Sequence, residues 1–181
     1  NDTVASLAST GGSVTIGSGK TLSVSGTSSI GTGSTLTGGT MEATGGTLTF
    51  NSASGNSSAL IIGTAAKLTG TGVIGGTTTV NGVHAVGAST AAGVTGAQTV
   101  ASSLNYGSAS IFEWDINTAA SSSDSVSVSG SLVISSGAIF KVVSTTAFTD
   151  AFWNTTRNWN VFGGLDFDAF TLGFVANGLS Q

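Results

Sequence analysis

The chain has 181 residues, 39% of them hydrophobic and 7% charged, with 28 glycines, no proline, no cysteine and a net charge of −4. Four Lys and Arg against eight Asp and Glu leave no basic patch, which excludes phosphate-driven nucleic-acid binding and attraction to an anionic membrane. No apolar run approaches the roughly 18 residues that span a bilayer, so no membrane insertion is expected, and without cysteine there is no disulfide framework.

Residues 1–105 are built almost wholly from Gly, Ser, Thr, Ala, Val, Leu and Ile, with the charges Asp2, Lys20, Glu42 and Lys67 and one aromatic, Phe50. Gly/Ser-rich chains are often flexible linkers. The alternation here argues against that. Ser13-Val14-Thr15-Ile16, Thr21-Leu22-Ser23-Val24 and Thr47-Leu48-Thr49-Phe50 read polar-apolar-polar-apolar, the period of a half-buried strand. Comparable runs follow at 35–36, 59–62, 67–69, 73–74, 78–80 and 83–86. Between them stand Gly17-Ser18-Gly19, Gly31-Thr32-Gly33, Gly38-Gly39, Gly45-Gly46, Gly70-Thr71-Gly72 and Gly75-Gly76, which predict turns. Dense short strands separated by glycine indicate an all-β protein. A sandwich or barrel remains an alternative, with longer strands and Asn-Gly hairpins. Small and β-branched residues at alternate positions fit better a parallel β-helix, a solenoid of stacked rungs.

The pattern loosens over 88–101, and after residue 105 the composition changes. Twelve of the thirteen aromatics lie from Tyr106 to Phe174, including Trp114, Trp153 and Trp159. Longer strands are expected at 110–116, 125–128, 131–134 and 138–143. We expect residues 1–105 to form the Gly/Ser/Thr-rich solenoid and 106–181 its aromatic-rich terminal rungs and C-terminal cap, continuous with it. The spacing of Phe148, Phe152 and Trp159 allows one short helix within 146–158.

Here the chain resembles a known family. Lys67-Leu68-Thr69-Gly70-Thr71-Gly72-Val73-Ile74-Gly75-Gly76 and Val80-Asn81-Gly82-Val83-His84-Ala85-Val86-Gly87 look like its strand and turn repeats. Ile111-Phe112-Glu113-Trp114-Asp115-Ile116-Asn117 resembles its aromatic strand. Asp124-Ser125-Val126-Ser127-Val128-Ser129-Gly130-Ser131-Leu132 resembles its Asp-x-hydrophobic-x-Val-x-Gly-x-Leu strand, and Trp159-Asn160-Val161-Phe162 the stretch that follows. The family is the autotransporter-associated β-strand repeat proteins, passenger-like surface proteins of Gram-negative bacteria. The resemblance spans most of 10–165 and is most specific after 67. It implies a right-handed parallel β-helix, export, and an extracellular or cell-surface location, with no catalytic residues. The family's C-terminal membrane barrel and Pro-Glu-Pro sorting tail are not expected among these residues. Asn1-Asp2-Thr3 does not open a basic-then-apolar leader, and a leader already removed fits this start.

Few side chains offer chemistry. Glu113, Asp115 and Asp124 form the densest acidic group and are a weak calcium candidate, since hard cations take carboxylate oxygens. Residues 113 and 115 share one face of a strand, and Asp124 approaches from a neighbour. The plainer interpretation is a solvated face with Asp124 opening a turn. Asp166 and Asp168 form a carboxylate pair for glycoside hydrolysis, with Trp153, Arg157 and Trp159 to bind sugar. Apolar neighbours favour core packing instead, and no enzyme is expected. His84 alternates with apolar residues and has no second histidine or cysteine to complete a transition-metal site or a triad, so no cofactor is expected. Gly17-Ser18-Gly19-Lys20-Thr21 lacks the first glycine and the helix of a phosphate loop.

Most of the chain thus offers backbone geometry rather than reactive groups. We expect a structural subunit of an extracellular filament, sheath or surface layer, assembling head to tail with other copies by β-strand augmentation. Val4 and Leu7, in an uncharged N-terminal run, would meet Phe170, Leu172 and Phe174 of the next copy. The alternative is an adhesin-like passenger module that binds surface glycans through its aromatics.

Overall fold

The computed structural model describes residues 1–87, 91–155 and 159–163. Within them the fold is all-β, with a single four-residue 3-10 turn at Ala151–Asn154. The first four strands are β1 (Asp2–Val4), β2 (Ala8–Val24), β3 (Ser28–Phe50) and β4 (Ala59–Thr69). Short strands follow: β5 (Val73–Ile74), β6 (Thr78–Val80), β7 (Val83–Ala85), β8 (Ala97–Val100) and β9 (Leu104–Tyr106). The rest are β10 (Ile111–Asn117), β11 (Ser122–Ser123), β12 (Ser125–Val128), β13 (Leu132–Ile134), β14 (Ile139–Ser144) and β15 (Phe162–Gly163). They form an eleven-stranded sheet and a four-stranded sheet, the latter ordered β15-β12-β8-β5. Strand pairing is parallel except between β10 and β11.

Parallel pairing follows from a repeat in sequence. Leu22, Met41, Leu60, Thr78, Leu104 and Leu132 are successive register partners, so one row of side chains runs through six levels. Val24, Ala43, Ile62, Val80, Tyr106 and Ile134 form a second row. Leu48, Leu68, His84, Phe112 and Phe140 form a third. These are the alternate, inward positions of their strands, and from Val24 and Met41 down to Phe112 and Tyr106 they are buried.

The repeat lengthens along the chain. Thr49 and Thr69 bond across one level at a separation of 20 residues, whereas Glu113 and Lys141 do so at 28. The inward side chains also become larger where the separation is longer. The second row accordingly passes from Ala43 to Tyr106, and the third from Leu48 to Phe112. Rings of His84, Tyr106, Phe112, Phe140, Phe162, Trp114 and Trp159 lie in one cluster, with neighbouring centroids 5.2–6.2 Å apart. The aromatic residues after 105 supply most of this cluster.

Two local expectations change. The glycine groups before residue 50 do not end strands: β2 and β3 run through them, 17 and 23 residues long. Parallel neighbours bend together there, so hydrogen bonding continues round the corner, with register shifts at Ser9/Gly11, Ile16/Thr21 and Ala43/Gly45. The aromatic segment expected to hold a helix makes only the 3-10 turn. Its N-cap is Asp150, whose Oδ1 accepts the Phe152 N–H at 2.8 Å.

Candidate functional site: an acidic latch and two sheet edges

The fold brings the three predicted acidic residues together and gives each a protein partner. Glu113, on β10, takes Lys67 Nζ at 2.6 Å on one oxygen and Lys141 Nζ at 2.9 Å on the other. Burial pushes its carboxyl up, but the two lysine hydrogen bonds and charges outweigh that and hold it below the ordinary range.

Asp124 is fully buried, contrary to the solvated face weighed from sequence. Its Oδ1 accepts the Gly96 N–H at 2.8 Å and its Oδ2 accepts the Asp115 N–H at 3.0 Å. Trp114 Nε1 donates to the Asp124 carbonyl at 2.9 Å. Asp115 Oδ1 accepts the Gly93 N–H at 2.8 Å, and Asn117 Nδ2 donates to the Gly93 carbonyl at 3.1 Å. These bonds latch the segment before β8 onto β10. Burial raises the Asp124 carboxyl to about 7; the N–H bonds oppose the rise and the Asp115 charge adds to it. Burial raises Asp115 as well. The carboxylates are thus spent on lysine and backbone donors. Among the described residues no group of three or more His, Asp and Glu is placed to hold a metal ion.

A second polar group went unnoticed in the sequence. His84 is buried between Tyr106, at 2.7 Å from Nδ1, and Gln98 Oε1, at 2.8 Å from Nε2. Its only legible sign is that His84 alternates with apolar residues, between Val83 and Ala85. All three side chains are buried, and their bonds tie β7, β8 and β9 together.

The sheet edges are the remaining feature. Among the described residues β1 pairs only with β2, Asp2 beside Leu22 and Val4 beside Val24. The first half of β2 has one neighbour among the described residues, β3, from Ala8 beside Ser29 to Ile16 beside Gly38. From Ala8 to Gly19 this edge carries no charge. Val4 is 37% exposed, whereas Leu7 is half-buried and bonded to the next level through Ser28 and Ser29. At the opposite end, β13 pairs with β9 and β14 with β10. Val133, Ile134 and Ile139 there are 49%, 38% and 55% exposed. Between them opens an apolar cavity of about 150 Å3, walled by Tyr106, Phe112, Ile134, Ile139, Phe140 and Phe162.

Phe170, Leu172 and Phe174, the predicted partners of Val4 and Leu7, lie outside the described residues, as do Arg157, Asp166 and Asp168. Trp153 and Trp159 are half-buried. Trp153 packs on Phe148 and Phe152, and Trp159 on Trp114. No helix among the described residues is long and apolar enough to cross a membrane. No protein-family model, curated protein or solved structure matches the chain.

Proposed function

We propose that this chain is a coil of a right-handed parallel β-helix that serves as a structural subunit of an extracellular or cell-surface filament, sheath or layer. The observation that carries this is the N-terminal edge: among the described residues, β1 and the first half of β2 present an outer edge with no strand partner, proline-free and without charge from Thr3 to Gly19. Such an edge templates further strand pairing unless charge, proline or a covering element blunts it. Stacked parallel levels give every copy the same two ends. A head-to-tail contact between unlike ends extends into a fibre when its rotation does not close. Val4 and its strand would add to the far edge of the next copy, in the region of Phe170, Leu172 and Phe174. No catalytic step is assigned to the chain.

Negative-stain electron microscopy of the purified chain tests this directly. Long uniform fibres are expected, and both deletion of residues 1–8 and Val4→Lys should shorten or abolish them. Monodisperse particles from the unaltered chain at all concentrations would sink the proposal. An adhesin-like role has one observation in its favour, the 45% exposed Phe148 beside Trp153. Glycan-array binding that is lost in Phe148→Ala would favour it.

A further inference from the structure

Tyr106 is the chain's single tyrosine, and it is buried. Its hydroxyl has an imidazole nitrogen of His84 at 2.7 Å, and a file of neighbouring rings leads from it to the half-buried Trp159. We propose that Tyr106 is a one-electron oxidation site: a hole made at Trp159 or Trp114 by an oxidising radical passes to Tyr106, whose phenolic proton moves to His84.

The first basis is the proton acceptor. A phenol holds its electron tightly unless its proton can leave too, because the oxidised phenol is a very strong acid. The proton therefore needs an acceptor already bonded to it. Gln98 Nε2 reaches the Gly70 carbonyl at 3.4 Å, which turns Gln98 Oε1 towards His84 Nε2 at 2.8 Å. An amide oxygen only accepts, so Nε2 holds the imidazole proton and the Nδ1 lone pair takes the Tyr106 O–H. Burial pushes the Tyr106 phenol well above its ordinary range and lowers His84 to about 4, against the opposing bond to Gln98. At neutral pH the resting pair is thus uncharged, with the proton on the tyrosine. An imidazolium of that acidity is still a far weaker acid than an oxidised phenol, so the proton crosses once the electron leaves. The imidazolium then keeps both bonds, Nε2–H to Gln98 and Nδ1–H to the phenoxyl oxygen.

The second basis is the path. Ring centroids of Tyr106 and Phe112 are 5.9 Å apart, those of Phe112 and Phe140 5.5 Å, those of Phe140 and Trp114 5.6 Å, and those of Trp114 and Trp159 6.1 Å. Electrons tunnel across rings packed this closely without oxidising the phenylalanines between. Trp159 is half-buried and within reach of an oxidant in solution, whereas Tyr106 is reached only through the protein.

The third basis sets the direction. Trp114 Nε1 donates to the Asp124 carbonyl at 2.9 Å. A peptide carbonyl does not take up a proton at neutral pH, so oxidised Trp114 stays a buried radical cation. Tyr106 has an acceptor that does take its proton. The difference draws the hole from indole to phenol. Tyr106 loses one electron, the oxidant gains one, one proton moves from Tyr106 Oη to His84 Nδ1, and both tryptophans are restored. None of this depends on how the chain assembles.

The single tyrosine makes the test specific. Azidyl radicals, generated by pulse radiolysis of the full chain in azide solution, take an electron from indole and become azide. The indolyl absorption should then fall while the phenoxyl absorption rises at the same rate, unchanged on dilution of the protein. Tyr106→Phe should abolish the rise, and Trp114→Phe should slow it several-fold. His84→Leu with Gln98→Leu should slow it several-fold as well, in a variant whose far-UV circular dichroism matches that of the unaltered chain. An indolyl signal that decays with no phenoxyl rise would overturn the proposal, and so would a rise whose rate scales with protein concentration or is untouched by loss of His84. A measurement on the unaltered chain frees the test from the folding of the variants. High-field electron paramagnetic resonance of the frozen radical should show a phenoxyl hydrogen-bonded to a proton that exchanges in deuterated water. A phenoxyl without that bond would equally overturn the transfer to His84.

Discussion

Tyr106 Oη lies 2.7 Å from His84 Nδ1, both buried, with the two residues on different strands, β9 and β7. The other ring nitrogen faces Gln98 Oε1 at 2.8 Å, and Gln98 Nε2 reaches the Gly70 carbonyl at 3.4 Å. An amide oxygen only accepts, so Nε2 carries the proton and Nδ1 accepts from the tyrosine hydroxyl. This chain of bonds joins β7, β8 and β9 and ties these strands in a single register. An adjacent-level slip would leave buried donors and acceptors without partners, whereas the apolar rows around them tolerate exchange among Leu, Ile and Val.

Tyr106→Phe should therefore cost more than its small change in volume suggests. It leaves buried Nδ1 without a donor, a penalty of about 1–3 kcal/mol. Replacing all three members together, His84→Leu with Gln98→Leu and Tyr106→Phe, removes the polar groups as well as their bonds and should recover much of that loss. Urea unfolding of the single and triple variants checks this. A single variant as stable as the parent would show that the hydroxyl bond contributes nothing.

The same group gives stability a dependence on pH. Burial lowers His84 to about 4, and its bond to Gln98 only partly offsets the shift. The unfolded chain takes up this proton below about pH 6.5 and the folded chain only near 4, so acidification costs roughly 3 kcal/mol in total across that window. Asp124 works in the opposite sense. Burial raises its carboxyl to about 7, so the folded chain binds that proton first and gains stability as pH falls from 7 towards the unfolded value. The unaltered protein should show a shallow slope between pH 7 and 5. The triple variant lacking His84 should grow more stable over that range, as chemical denaturation at each pH would reveal.

These two polar groups were the least legible parts of the sequence. The all-β class, the alternation and the stacking of small residues could be read from period-two patterns and glycine spacing. The length of β2 and β3 could not, because a glycine looks the same whether it ends a strand or bends one. Glu113, Asp115 and Asp124 were visible as a cluster, since two of them alternate on β10. Their roles depended on Lys67, Gly93 and Gly96, which approach only when distant strands pair. His84 drew notice as an isolated histidine, but its partners lie 14 and 22 residues away and no local pattern marks them.

Glu113 bridges Lys67 and Lys141, whose side chains are 23% and 55% exposed. The less exposed partner is the less screened by water and salt. Lys67→Ala should thus destabilise more than Lys141→Ala, with the latter worth a few tenths of a kcal/mol, as is typical of exposed pairs. Glu113→Gln removes both attractions and leaves the lysines facing each other, for a loss of about 1 kcal/mol that shrinks in 1 M salt. Equal losses for the two lysine variants, unaffected by salt, would contradict this ordering.

Glycine substitutions should separate crowded backbone from open backbone. Gly12 has φ of +83° and nothing within 4 Å of the place a Cβ would take, so Gly12→Ala meets only the backbone penalty of the left-handed region, about 1 kcal/mol. Gly70 has φ of +111°, and a Cβ there would collide with the carbonyl and nitrogen of Phe50 on the level before. That backbone is held on both sides, since the Asn51 N–H bonds the Ile30 carbonyl and the Gly72 N–H bonds the Phe50 carbonyl. It has no low-cost way to retreat. Gly70→Ala should cost about 4 kcal/mol or more, the range reserved for severe strain, and thermal unfolding should fall far more for it than for Gly12→Ala. Similar losses for the two variants would mean that adjacent levels are not packed backbone against backbone at this corner.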